Sequence, residues 1–342
     1  MTKLGVIVPC RDEAAVIERK ILNLARCEWP AAGAPHEVVI VDDGSSDGTA
    51  ERARAAIASL ARGRVRWRVI ANELHPGKAG AIRAGSRALG ESVDVVVLTD
   101  ADVGVAPDAP AELARAFERR PRLAMATGAQ RFVRELPSDG STSALAPDDS
   151  LYDTAANLVR AVESRAGRVF SVQGQWMAWR ASLALEPALG IAADDLDLML
   201  QVRCRGGEIR RIASSRFFET RSEPGERREQ QAVRRARAFV QFQRHPRIDE
   251  LLASGSWLAR AQARAYLRAR RVGEAWFALP FAALLLASPW LPVAATASAL
   301  VLLALTLLPA WTLARGVAAR IDAARASEAE RPASDRWETA RR

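Results

Sequence analysis

Val95-Val96-Val97-Leu98-Thr99-Asp100-Ala101-Asp102 constrains this chain more than any other stretch. Its apolar, mostly β-branched residues run without a polar break, as they do in a strand buried on both faces of a parallel sheet. Two carboxylates, one small residue apart, then close the run. Open α/β sheets collect ligands outside the C-terminal ends of their strands, and that is where these acids stand. Paired oxygen donors suit a hard divalent cation and the phosphate such a cation brings. A plain acidic turn is the other reading, since Asp is common in turns.

The first part of the chain repeats this design. Strand-like runs at Lys3–Val8, Glu37–Val41, Val65–Ile70, Val93–Thr99 and Leu123–Thr127 alternate with helical patterns at Ala14–Ala25, Thr49–Leu60, Gly80–Leu89 and Pro110–Arg119. Such alternation predicts a mostly parallel open sheet with flanking helices. Further on, 138–150 reads as a loop, Leu151–Ala166 as a helix, Val169–Trp179 as extended, Asp195–Cys204 as a helix and Glu208–Ile212 as a strand. Gly225–Gln243 reads as a strongly cationic helix.

Charge is distributed unevenly. The 342 residues carry a formal +9. About 25 arginines against about 13 acids lie from residue 202 onward, which leaves the N-terminal part slightly acidic. Residues 275–313 contain no charged side chain, and Ser288-Pro289-Trp290-Leu291-Pro292 divides them. A run of this length fits two spans of about 17–20 residues rather than one. Arginines flank it on both sides, so both ends are expected in the cytoplasm; a buried helical pair, or one span with an interfacial helix, are the alternatives. The expected organisation is an α/β domain over 1–245, a basic juxtamembrane linker over 246–272, a transmembrane hairpin over 273–314 and a polar cytoplasmic tail over 315–342. The expected location is the inner (cytoplasmic) membrane, with the α/β domain facing the cytoplasm. Because the arginine clusters flank apolar spans, they point to an anionic membrane surface and away from nucleic acid. No leader-like segment is expected at the N-terminus. Cys10, Cys27 and Cys204 are scattered without metal-ligand spacing, which argues for a reducing compartment.

Five further segments could carry chemistry. Pro9-Cys10-Arg11-Asp12-Glu13 follows the first strand, with Asp12 a candidate helix N-cap. Val41-Asp42-Asp43-Gly44-Ser45-Ser46-Asp47-Gly48-Thr49 ends a buried strand in paired acids, which either hold a ribose or base edge or form an acidic turn. His75-Pro76-Gly77-Lys78-Ala79-Gly80 sets one of only three lysines at a helix start, where amides and an ammonium favour phosphate. It is not a Walker A loop, because no Ser or Thr follows the lysine. Asp194-Asp195-Leu196-Asp197 places three acids on a helix start; they serve the helix dipole or supply a base. Gln173-Gly174-Gln175-Trp176 precedes them, with Trp176 either facing a sugar or packed in the core. No histidine is assigned to a metal, and no Ser/His/Asp or Cys/His constellation is apparent.

Together these segments resemble glycosyltransferase family 2, the inverting enzymes of GT-A fold. The family's ordered motifs correspond here to Pro9 with Asp12-Glu13, Val41 to Thr49, Gly77-Lys78, Asp100-Ala101-Asp102 and Asp194-Asp195, over about residues 3–240. The resemblance implies a nucleotide-sugar donor and a lipid-linked, polyprenyl-linked or glycan acceptor. Pro9, Glu13 and Asp43 would hold base and ribose, and Lys78 would lie by the nucleotide. Asp100 and Asp102 would meet the ribose and a Mg2+ or Mn2+ ion on the diphosphate, Asp102 most directly. Asp195 would be the catalytic base. Gln175, Trp176, Asp194, Arg234 and Arg235 are candidate contacts to acceptor or diphosphate. Asp12 stands where the family usually has Asn, and Asp194 where it has Glu. The Gln-x-x-Arg-Trp motif of processive members begins at Gln231 but meets Arg235 where Trp belongs. Two rivals are a non-catalytic nucleotide-sugar or lipid binder on the same scaffold, and a sugar-1-phosphate nucleotidyltransferase. The latter lacks its expected Gly- and Arg-rich N-terminal loop.

Overall fold

The computed structural model describes residues 2–221 except 62, 149–150, 171 and 190–192, then 245–267 and the single positions 233, 236, 240, 241, 321 and 323. The chain divides into two compact units, one built on Met1–Arg228 and the other within Glu229–Pro332.

The first unit opens with β1 (Leu4–Cys10), α1 (Ile17–Ala25), β2 (His36–Asp42), α2 (Thr49–Ala58), β3 (Val65–Ala71), α3 (Lys78–Leu89) and β4 (Val95–Thr99). It continues with β5 (Gly104–Val105), α4 (Ala109–Arg119), β6 (Leu123–Val133), α5 (Leu151–Arg165), β7 (Trp176–Arg180), α6 (Asp194–Cys204) and β8 (Glu208–Thr220). Among the described residues eight strands form one sheet in the order β3-β2-β1-β4-β7-β6-β8-β5. The half made of β3, β2, β1 and β4 is parallel, as the alternation predicts.

The other half departs from the all-parallel pattern, although four of the seven strand pairings are parallel and the sheet stays mostly parallel, as expected. Strand β7 runs antiparallel to both β4 and β6, with Thr99 opposite Trp176, and β5 runs antiparallel to β8. Only β6 and β8 pair parallel there. The sheet is therefore mixed. A strand buried on both faces is a continuous apolar run in either direction, so Trp176–Arg180 carried no sign of its orientation. The extended reading of Val169–Trp179 narrows to a strand that starts at Trp176, while β6 and β8 run longer than their apolar cores.

Strands β1 and β4 are buried along their whole length. Helix α3 packs on β1 and β2, and two of its glycines permit the approach. A Cβ on Gly85 would stand 2.5 Å from the Ile7 side chain, and one on Gly80 would stand 1.7 Å from the His75 carbonyl oxygen. The second contact holds the head of α3 against the turn that precedes it.

In the second unit the described residues include α7 (Pro246–Ser254) and α8 (Trp257–Leu267). His245 caps α7, its Nδ1 accepting from the Arg247 amide at 3.1 Å. The stretch expected as a basic linker thus carries two helices. The cationic stretch 225–243 lies almost entirely outside the described residues, as does the expected hairpin 273–314. Among the described residues no helix is long and apolar enough to cross a membrane.

Gly80→Ala is expected to destabilise by about 1–3 kcal/mol or more, because the new methyl meets backbone. Gly33→Ala, with nothing within 4 Å of its added Cβ, should stay within about 0.5 kcal/mol of wild type. Denaturant melts of the two variants check the contrast.

Candidate active site

The C-terminal ends of β1, β2 and β4 and the N-terminus of α6 meet at one rim of the sheet, and the loops there are knitted by polar side chains. Asp12 has φ +50°, a left-handed conformation that Asp and Asn tolerate better than most residues. Its Oδ1 accepts from the Ser46 amide at 2.8 Å and the Ser46 hydroxyl at 3.2 Å, while its own amide donates to Ser45 Oγ at 2.9 Å. Next along, the Glu13 amide donates to Thr49 Oγ1 at 2.8 Å and the Ala14 amide to Asp47 Oδ2 at 2.9 Å. Asp12 is therefore not the cap of α1. That helix starts only at Ile17, with Val16 at its cap position, because residues 11–14 are held by the loop after β2. Hydrogen bonds from Thr49 and Ala14 outweigh burial and hold the Asp47 carboxyl below its ordinary range.

Asp43 is buried, and both of its oxygens face protein donors. Oδ2 accepts from the Gly77 amide at 2.8 Å and Oδ1 from Asn72 Nδ2 at 2.5 Å, with Arg11 Nη1 3.5 Å away. Asn72 also donates to the His75 carbonyl at 2.6 Å. The residue expected to hold the base thus fixes the turn that delivers Lys78. Asp42, one residue earlier, carries a buried Oδ1 without a hydrogen-bond partner.

Lys78 is the hub. Its Nζ donates to Asp100 Oδ1 at 2.6 Å and lies 3.9 Å from Asp194 Oδ2. Burial works to lower its pKa, but Asp100, Asp194 and Asp195 outweigh burial and raise it above the usual lysine range. The side chains of Lys78 and Asp100 remain about a quarter exposed, and that of Asp194 is 10% exposed. Asp195 is half-buried, and its Oδ1 accepts from the Leu196 amide at 2.8 Å. It packs on Gly174, where an added Cβ would come 3.0 Å from its own. Burial raises both carboxyls of this pair, Asp194 to about 7, and Lys78 works against the rise in each. The third acid, Asp197, turns inward: its Oδ2 accepts from the Ala188 amide at 2.7 Å and from Gln201 at 3.0 Å.

Asp43, Lys78, Asp100, Asp194 and Asp195 thus come together through a chain of contacts, and Asp102 shares the turn that carries Asp100. Pro9 is buried in β1 opposite Val41. Glu13 is half-buried, and its carbonyl accepts from the Val16 and Ile17 amides at 2.9 Å. Gln175 is half-buried in the turn before β7. Trp176 does not face a sugar. It is 0% exposed, and its Nε1 donates to Ser215 Oγ at 2.8 Å. Its ring edge approaches Gly128, where a Cβ would come within 2.4 Å. Arg234 and Arg235 lie outside the described residues. Asn72 escaped sequence reasoning because nothing local marks it.

Among the described residues no three His, Cys, Asp or Glu side chains group to hold a metal ion. Mg2+ is commonly held by one or two carboxylates and completes its shell with substrate phosphates and water. The oxygens of Asp100 and Asp102 are hard donors of that kind, so the donor set fits an ion that arrives with a diphosphate.

A family model described as glycosyltransferase-like family 2 matches residues 2–240. The chain belongs to this family. This chain is 24% identical over 179 residues to a poly-beta-1,6-N-acetyl-D-glucosamine synthase of Staphylococcus epidermidis, covering 52% of this chain and 40% of that protein. With the synthase of Staphylococcus aureus strain COL, identity is 23% over 207 residues, or 60% and 46% of the two chains. The matches span less than half the length of these curated relatives. Among solved structures it is similar to the mannosyltransferase PcManGT from Pyrobaculum calidifontis in complex with GDP-Man and Mn2+. The TM-score is 0.65 at 24% identity, over 96% of this chain and 87% of that one. S. aureus TarS 1–349 in complex with UDP-GlcNAc gives a TM-score of 0.52 at 17% identity, over 78% and 70%. These likenesses show a GT-A-like α/β fold with flanking helices around a mixed sheet.

A carboxylate acts as a base only when ionised, and burial holds Asp194 and Asp195 protonated to higher pH than usual. A reaction that uses either acid as its base should therefore lose kcat/KM on the acid side at a pH above the ordinary carboxylate range. Lys78→Met removes the charge that opposes the rise, so the acid limb of its residual activity should move to higher pH. Rates measured from pH 5 to 9 check both, and an acid limb in the ordinary carboxylate range contradicts this reading.

Proposed function

We propose that this glycosyltransferase moves one sugar from a nucleotide-sugar donor to an envelope glycan, lipid or polyprenyl-linked acceptor, with inversion and with Mg2+ or Mn2+ assistance. The observation that carries the proposal is the ion-paired hub, in which Lys78 touches Asp100 while buried Asp194 and half-buried Asp195 stand in its field. A cation for the diphosphate, acids for a metal and a base of raised pKa thereby share one site.

Each group has a role in a single displacement. Lys78 stands in the first turn of α3, where the helix dipole and the ammonium both favour an anion; it neutralises charge that develops on the departing nucleoside diphosphate. Asp102, with Asp100, would hold the divalent ion, which when bound supplies further stabilisation of that leaving group. Asp195 accepts the proton of the attacking acceptor hydroxyl. The bond from the anomeric carbon to the diphosphate oxygen breaks as the bond to the acceptor oxygen forms on the opposite face, so the configuration inverts.

Transfer of a single sugar per encounter is supported by Arg235, which stands where processive members carry Trp. A position at the cytoplasmic face of the inner membrane is supported by the charge-free run at 275–313 and the arginines on either side of it. Tethering there raises the effective concentration of a lipid-borne acceptor.

The test uses the full chain in detergent with Mn2+, screening UDP- and GDP-sugars, UDP-GlcNAc and GDP-Man first, for release of nucleoside diphosphate. Asp195→Asn should lower kcat by about 10²–10⁴-fold with an unchanged melting temperature, and EDTA should abolish release. Turnover near the wild-type rate in Asp195→Asn, or in Asp102→Asn, removes that residue from the mechanism.

A further inference from the structure

One buried cation plays no part in the chemistry above. Lys20 lies in α1 among Ile17, Ile21 and Leu24, all 0% exposed, and is itself 1% exposed. Its Nζ donates to Thr99 Oγ1 at 2.7 Å and to the Val103 carbonyl at 3.1 Å. Those two residues bracket Asp100-Ala101-Asp102. The neighbouring residue of α1 continues the brace: Arg19 Nη2 donates to the Asp102 carbonyl at 3.1 Å. One turn on, Asn23 donates to the Val105 carbonyl at 2.9 Å and accepts from the Val105 amide at 2.8 Å.

Burial of an ammonium is unfavourable unless its partners compensate. Here burial lowers the Lys20 pKa to about 8 despite the opposing pull of Cys27, Asp100, Asp102 and Cys10. A leucine or methionine would fill an apolar helix face without that cost. What only a long cation supplies is a donor that reaches both ends of the turn from beneath.

We infer that Lys20 is a positioning residue: its ammonium, fixed on Thr99 and Val103, sets the Asp100-Ala101-Asp102 turn so that the two carboxylates present their oxygens together to the divalent ion and diphosphate. The inference rests on the transferase reading above. Removing a nearby positive charge would by itself tighten cation binding, whereas loosening the turn weakens it. The inference commits to weakening, because outer partners of metal ligands are worth about 10–100-fold in metal affinity.

The experiment titrates Mn2+ into the full-length protein in the presence of GDP or of UDP, following free Mn2+ by electron paramagnetic resonance. Nucleotide affinity without metal and melting temperature are measured in parallel. Lys20→Met should weaken Mn2+ binding by about 10-fold or more and leave metal-free nucleotide affinity unchanged. Thr99→Val, isosteric and missing one of the two anchors, should weaken it in the same direction by less. A purely structural role would lower the melting temperature and leave the affinity of the folded protein alone. Unchanged or tighter Mn2+ binding in Lys20→Met overturns the inference. If that variant does not fold, unchanged binding in Thr99→Val overturns it instead. Failure of the wild type to bind Mn2+ with either nucleotide overturns the transferase reading itself, which separates the two.

Discussion

The ammonium of Lys78 stands among three carboxylates, and the rest of the unit is organised around keeping it there. Asp100, Asp194 and Asp195 come from the end of β4 and the start of α6, far apart in the chain. Their mutual repulsion at one rim would be costly without a cation between them. With Lys78 in place the cluster remains acidic and partly open to solvent, a state suited to receiving a second cation and an anion together.

Rigid backbone makes that arrangement possible. Lys78 is delivered by a turn pinned through Asp43, Asn72 and the close approach of Gly80. The turn after β1 is clasped to the loop after β2 by Asp12, Ser45, Ser46, Asp47 and Thr49. Much of what looks in the sequence like a ligand-binding series is therefore scaffold: these side chains satisfy backbone donors at the rim. The groups left for chemistry are few.

The parallel half of the sheet was legible because buried parallel strands are uninterrupted apolar runs, and β1, β2 and β4 fall within a residue or two of those runs. The reversed direction of β7 was not legible. The antiparallel insertion of β7 between β4 and β6 follows from the path of the whole chain. Trp176 could equally have faced a sugar by its sequence; its place in the core is fixed by Ser215 and Gly128, distant residues that supply a hydrogen-bond partner and a space. Asp12 misled for a related reason, since capping is a local signal while its real partners lie in the loop after β2. Lys20 left a trace that could have been followed, a lone charge on the apolar stripe of Ile17, Ile21 and Leu24. Arg234, Arg235 and the charge-free run 275–313 fall outside the described residues.

The central claim is that acids distant in the chain grip one diphosphate and one metal at a shared rim. Crystals grown with Mn2+ and GDP or UDP, with data collected at the manganese absorption edge, test it most directly. The account predicts one anomalous peak within coordination distance of Asp102, with the diphosphate between it and Lys78 and with Asp195 facing the same space. A peak at another surface, or a nucleotide bound away from Lys78, would contradict it.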